Sequence, residues 1–258
     1  VTGTVANPVR AKLLRGETAW GVMAFEFFTP GLPYVLASAG AEFVILDTEH
    51  SGVGIDTIKM QIACAHGAGI VPLVRVPGHA YHLVAPVLDA GAMGIMLPMT
   101  ETRAEAEALV QWCRYRPEGK RGLAFGIGHD RWRPGEPAAS MAAANDSVLT
   151  IALIETATGV ANAREILSVP GIDLGWLGHF DLSDSMGIPG KFDDPRFIAA
   201  EAQLLDAAKA AGKPVGWLAG DAAAARAALN KGFRALCLST DVALLRDGLS
   251  AMLRQAKA

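Results

Sequence analysis

Short runs of apolar residues recur along the chain, and most are apolar throughout rather than alternating with polar positions. FVILD at 43–47, VPLVR at 71–75, GIML at 94–97 and TIALI at 150–154 are the clearest. A strand with water on one face alternates; an uninterrupted apolar run suits a parallel strand buried on both faces. The same reading places strands at 21–24, 174–177, 214–218 and 235–238, which makes eight. Longer Ala-rich stretches with helical spacing lie between them, among them 101–113, 195–211 and 221–229. Gly69, Gly91, Gly212 and Gly232 each fall shortly before a strand, as helix-terminating glycines do. No linker rich in Pro, Gly or Ser divides the chain, so residues 1–258 are read as one domain.

Eight strand–helix steps predict a (β/α)8 TIM barrel. The rival is a doubly wound open sheet, which often carries a Gly-rich phosphate turn after its first strand; GVMAFE at 21–26 has none. Two connections are long, 98–149 and 181–213, and the first contains HDRWR at 129–133. Long connections at the catalytic end of a barrel serve as lids or site walls, and both are expected there. The last segment, 241–258, carries Val242, Leu245, Leu249, Met252 and Leu253 at helical spacing and reads as a packing helix.

Composition narrows the function. The 258 residues are 51% hydrophobic, enough for one large core. A net charge of −3 without blocks of like charge speaks against nucleic-acid and membrane partners. No run of 18 apolar residues offers a membrane span. The opening VTGTVANPVRAKLLRG lacks the apolar core of a secretory signal. Cys64, Cys113 and Cys237 are odd in number and far apart, which suits a reduced, cytoplasmic setting.

Barrel chemistry lies at the C-terminal ends of strands. Those ends carry Asp47, Glu49 and His50 after strand 2, Arg75 after strand 3 and Glu155 after strand 5. Strand 6 leads to Asp181, strand 7 gives Trp217 and strand 8 gives Ser239. A lone acid after a strand is more often a helix cap, and a lone histidine more often a satisfied structural residue. Here acids converge, and buried charges without partners are prohibitively costly. Glu155 and Asp181 together therefore call for a cation. Two carboxylates with open remaining positions suit a hard divalent ion, Mg²⁺ or Mn²⁺, whose other positions take water and a bidentate 2-oxo acid. His50 beside Asp47 reads as an acid–base pair. Glu26, His129 and Asp89 rank lower for direct chemistry, and His66, His79 and His82 read as structural. No lysine falls at a strand C-terminus, Lys213 preceding strand 7 at the opposite end, so imine chemistry is not expected. The loop after strand 8, STDV at 239–242, is no phosphate cradle.

Six pieces, in order from 47 to 187, carry a resemblance: DTEH at 47–50, PLVRV at 72–76, LDAGAMGIMLPM at 88–99, RYRPEGKRG at 114–122, ETATGVANAREI at 155–166 and GHFDLSDSMG at 178–187. The chain resembles the metal-dependent HpcH/HpaI aldolase family of the pyruvate/phosphoenolpyruvate-barrel group. The resemblance implies a class II aldolase that makes or cleaves 4-hydroxy-2-oxo acids, with pyruvate or a similar 2-oxo acid and an aldehyde as partners. It implies Glu155 and Asp181 as metal ligands, with Mg²⁺, Mn²⁺, Co²⁺ and Zn²⁺ all open. It assigns Arg75 to the keto or enolate oxygen, His50 with Asp47 to proton transfer, and Asp89 to a boundary with a neighbouring subunit. Glu49, Gly178 and Trp217 join them as substrate-binding positions. Such enzymes are typically hexamers built from dimers that exchange the C-terminal helix. The chain departs from the family pattern in places: Leu153 replaces a common Gln, His179 and Phe180 replace the usual Pro-Ala or Pro-Asn, and the loop segment GIGHDRW at 126–132 also differs from common members. A citrate-lyase-like or malyl-CoA-type lyase is the alternative, with Arg114, Arg116, Lys120 and Arg121 as a docking surface for CoA phosphates. A non-catalytic 2-oxo-acid-binding protein on the same barrel is the other.

Overall fold

In the computed structural model, which describes residues 3–257, the eight apolar runs are eight parallel strands. They are β1 (Ala19–Ala24), β2 (Phe43–Asp47), β3 (Val71–Arg75), β4 (Gly94–Leu97), β5 (Leu149–Ile154), β6 (Leu174–Leu177), β7 (Val215–Ala219) and β8 (Ala235–Thr240). Each pairs with its sequence neighbour, and β8 closes on β1. The expected (β/α)8 barrel is the observed fold, with strand bounds shifted by two residues at most.

Inside and outside follow from the two-residue period of a strand. Phe43, Ile45, Leu73, Met96, Ile151, Leu153 and Trp176 fill the barrel interior. Their neighbours Val44, Leu46, Val74, Ile95, Ala152 and Ile154 face the helical ring. The inward parity carries on to the strand ends: Asp47 follows Phe43 and Ile45, Arg75 follows Leu73, and Glu155 follows Ile151 and Leu153. In the β2–β3 ladder Asp47 lies opposite Arg75.

The ring comprises α2 (Leu32–Ser38), α3 (Ile55–Ala68), α4 (Tyr81–Asp89), α5 (Arg103–Cys113), α6 (Pro137–Ser147), the short α7 (Ala157–Ala161) and α8 (Ala163–Leu167), α9 (His179–Ser185), α10 (Pro195–Ala211) and α11 (Ala222–Lys231). Gly69, Gly212 and Gly232 end α3, α10 and α11 in the left-handed conformation expected of them. A helix the hydrophobic pattern leaves unassigned, α1 (Pro8–Leu14), forms the barrel floor, where Val9 and Leu13 join the interior cluster.

The long connection at 98–149 differs from expectation. Helix α5 carries the chain back to the floor before the irregular segment begins. That segment is pinned there by the buried Arg114, which donates to the Val148 carbonyl at 2.7 Å and to Asp173 at 2.9 Å. It is no lid. The connection at 181–213 does reach the mouth, through α9 and Phe192. The C-terminal helix α12 (Asp241–Lys257) forms, but its apolar stripe lacks cover within one chain: Leu245, Leu249 and Met252 are 60%, 55% and 69% exposed. Among the described residues no helix is long and apolar enough to cross a membrane.

Candidate active site at the barrel mouth

The inward strand ends bring Asp47, Arg75 and Glu155 to one mouth, and the following turns add Glu49, His50, Gly178 and Asp181. Asp47 is fully buried. Its Oδ1 accepts from Arg75 Nε at 2.6 Å, and its two oxygens accept the backbone N–H groups of Glu49 and His50 at 3.2 and 2.9 Å. One carboxylate thus orients the arginine and caps the turn after β2. The contact expected between Asp47 and His50 is therefore made through the His50 backbone. The His50 imidazole is 56% exposed, and its nearest carboxylate is Glu49, with Nε2 to Oε2 at 3.8 Å.

Arg75 is buried under the ring of Phe25, 5.5 Å away, and forms a second ion pair with Glu49 Oε2 at 3.3 Å. Two buried atoms here lack hydrogen-bond partners, Arg75 Nη2 and Glu49 Oε2. Leaving such a buried donor or acceptor unmet costs about 1–3 kcal/mol, so both mark places where a ligand or water completes the structure.

Glu155 is buried just beyond β5. Its Oε1 accepts the Met99 backbone N–H at 2.7 Å, delivered by a left-handed φ of 49° at Met99. Gly178 packs against the same carboxylate: a Cβ there would stand 2.5 Å from Glu155 Oε2. Burial pushes the Glu155 carboxyl up to about 8, and the nearby Asp181 and Glu49 carboxylates add to the shift while the Met99 N–H and Arg75 oppose it. Burial likewise raises Glu49. Asp181 sits exposed in the first turn of α9. Four acids, Asp47, Glu49, Glu155 and Asp181, gather around one arginine, and the carboxylate oxygens left over are the hard donors a divalent cation takes, so the residues fit such an ion. Among the described residues no three His, Cys, Asp or Glu side chains converge to hold one alone. The chain's share would be the two oxygen donors Glu155 and Asp181.

A cleft of about 380 Å³ opens above these groups, lined among others by Phe25, His50, Leu153, Glu155, His179 and Phe180. Trp217 is not part of its lining. On β7 it is Leu218 that turns inward, while Trp217 packs on the outer core and donates its indole N–H to His179 Nδ1 at 3.0 Å. Its influence on the cleft runs through His179, whose burial pushes its pKa down to about 4. Asp89 is also away from the mouth. It ends α4, five residues before β4, on the barrel floor, where Arg121 pairs with it at 2.8 Å.

Two positions escaped sequence reasoning. Met99 acts through its backbone, which residue type does not announce. Asp241 opens α12, and its carboxylate accepts the backbone N–H groups of Phe25, Glu26 and Phe27 at 3.0, 3.0 and 2.7 Å, fixing the turn that carries Phe25 to Arg75. Its place directly after β8 was the available signal.

A (β/α)8 barrel whose C-terminal mouth gathers carboxylates, an arginine with a free donor and a histidine belongs among the barrel enzymes of carboxylic-acid chemistry. Residues 27–248 match the HpcH/HpaI aldolase/citrate lyase family, and the chain belongs to it. It is 35% identical to a hydroxypyruvate/pyruvate aldolase of Chromohalobacter salexigens, covering 93% of this chain and 94% of that one. It is 33% identical to a 4-hydroxy-2-oxovalerate aldolase of Novosphingobium aromaticivorans, covering 98% and 95%. An HpcH/HpaI aldolase/citrate lyase family protein from Burkholderia cenocepacia superposes with a TM-score of 0.92 at 31% identity, covering 98% of this chain and all of that one.

Proposed function

We propose that the protein is a divalent-metal-dependent aldolase that reversibly cleaves 4-hydroxy-2-oxo acids to pyruvate, or a similar 2-oxo acid, and an aldehyde. The observation that carries this reading is the free Arg75 Nη2 donor beside the buried Glu155 in one cleft. Aldolase names recur among the relatives, and no lysine is among the described residues that line the cleft, as an imine route would need.

Glu155 and Asp181 would hold the ion, Mg²⁺ or Mn²⁺ by the oxygen character of the pair. When bound, it would act as a Lewis acid toward the keto oxygen of the 2-oxo acid. Arg75, oriented by Asp47 and Glu49, directs Nη2–H at the oxygen on which charge develops as the C3–C4 bond breaks. His50 takes the proton of the C4 hydroxyl, and its exposure leaves the imidazole free to reach it directly or through water. Glu49 lies 3.8 Å from the His50 ring, and its Oε2, without a hydrogen-bond partner, is open to a bound water. Leu153 and Phe25 exclude solvent from the reacting end. The floor position of Asp89 and the uncovered stripe of α12 support a homo-oligomer in which α12 docks on a second copy; sedimentation at the mass of one chain would overturn that assembly.

The test is pyruvate release from a panel of 4-hydroxy-2-oxo acids by chelated protein, before and after Mg²⁺ or Mn²⁺. Metal-restored release supports the reading. Turnover of an acyl-CoA ester instead would move the activity to the lyase alternative.

A further inference from the structure

His179 has no part in the chemistry above, yet it lines the cleft at the first turn of α9. Its tautomer is set by its neighbour. The indole nitrogen of Trp217, 3.0 Å from Nδ1, can only donate. Nδ1 is therefore the acceptor, and the ring's single proton sits on Nε2. Three aromatic rings hold the imidazole in place: Phe180 at 4.6 Å between centroids, and Phe192 and Trp217 edge-on at 5.0 and 5.4 Å. Trp217 is braced in turn against Phe233 at 5.8 Å.

His179 lines the cleft and Trp217 does not, so with Nδ1 taken by the indole the Nε2 edge is the one left to face it. Among the described residues that N–H has no partner. A fixed donor facing a substrate cleft is a recognition element. The aromatic edges around it decide what it takes. A carboxylate desolvated against Phe180 and Phe192 would be costly, and a cation held by Glu155 and Asp181 would already provide for the charged end of a 2-oxo acid. A neutral oxygen fits.

We propose that His179 Nε2–H is a specificity-determining donor that reads a hydroxyl oxygen of the substrate, so that the protein prefers hydroxylated substrates to their deoxy counterparts. The inference rests on the aldolase reading. The hydroxyl has two sources, the C3 hydroxyl of a donor such as hydroxypyruvate or the C2 hydroxyl of an aldehyde such as glycolaldehyde.

The experiment is aldol addition by Mg²⁺-loaded protein with pyruvate or hydroxypyruvate as donor and acetaldehyde or glycolaldehyde as acceptor. Wild type is compared with His179→Phe, which keeps an aromatic ring and loses the donor, His179→Gln, which keeps an N–H, and Trp217→Phe, which releases the tautomer. His179→Phe is expected to lower kcat/KM by about 3- to 10-fold more for the hydroxylated member of one pair than for its deoxy partner, mostly through KM. His179→Gln recovers part of that ratio, and Trp217→Phe falls between. If the donor hydroxyl is the one read, calorimetric binding of hydroxypyruvate weakens by the same ratio while pyruvate binding holds. Selectivity lost only across the aldehyde pair assigns the contact to the acceptor. Equal loss for all four substrates, or none, in variants that melt as wild type does overturns the inference while leaving the aldolase reading intact. A wild type that neither turns over nor binds any 2-oxo acid overturns the aldolase reading itself.

Discussion

Gly178→Ala isolates the packing on which the acid pair depends. The Gly178 φ of −91° is open to alanine, so the substitution acts through contact rather than backbone strain. The new methyl would stand 2.5 Å from both Cβ and Oε2 of Glu155, about 1 Å inside ordinary contact. Glu155 has little room to yield, because the Met99 N–H holds its other oxygen at 2.7 Å. Displacing the carboxylate by that amount should weaken Mn²⁺ binding by about 10- to 100-fold, the scale found when support around a metal ligand is removed. Turnover should fall by about 10²-fold, as expected for a 1 Å misplacement of a reacting constellation. Overpacking should also cost about 1–3 kcal/mol of stability. Calorimetric Mn²⁺ titration, pyruvate release and a thermal melt on the same preparation read all three. Gly187→Ala is the control. Its φ of 69° makes alanine strained, but nothing lies within 4 Å. It should lower stability by about 1–2 kcal/mol and leave metal affinity alone. Gly178→Ala protein that binds Mn²⁺ within twofold of wild type and keeps full turnover would refute the placement of Glu155 as a ligand packed on Gly178.

Two other perturbations test the site's charges. Arg75→Lys keeps a cation beside Asp47 but loses the forked donor, and kcat should drop by about 10²–10³-fold, the scale of a lost oxyanion donor, with KM changed less; near-normal kcat would remove Arg75 from the transition state. The raised Glu155 pKa predicts a pH dependence for chelated protein. Folded Glu155 keeps its proton up to about pH 8, whereas the unfolded side chain releases it near 4.5, so the folded state binds more protons between those values and loses stability as pH rises. The lowered His179 pKa works in the opposite sense between about 4 and 6.5, which leaves the interval from 6.5 to 8 to the carboxylate. The melting temperature of chelated protein should therefore fall from pH 6.5 to 8, and Mg²⁺ or Glu155→Gln should flatten the slope. A slope that survives Glu155→Gln would place the titrating group elsewhere.

Local pattern was enough for the barrel. Eight short apolar runs bounded by turns, most of them uninterrupted, suit strands covered on both faces, and that information is carried by neighbours two residues apart. The strand-end chemistry was legible for the same reason: in VILDTEH, PLVRV and IALIET the polar residue follows the apolar run directly, so its position at the mouth comes with the strand. Parity was not legible where the strand offers no polar residue to mark a face. VGWLA at β7 is such a case, and only closure of the sheet turns Leu218 inward and Trp217 outward. The direction of the 98–149 connection, the floor contributed by α1, the Met99 N–H on Glu155 and the Asp241 clasp on the β1 turn were likewise decided by tertiary structure. Each joins residues distant in sequence through backbone groups or geometry, and backbone donors are the same at every position. Residue type and order along the chain name the groups able to do the chemistry; the closed barrel sets which of them meet, because distance between side chains depends on register and packing rather than on order along the chain.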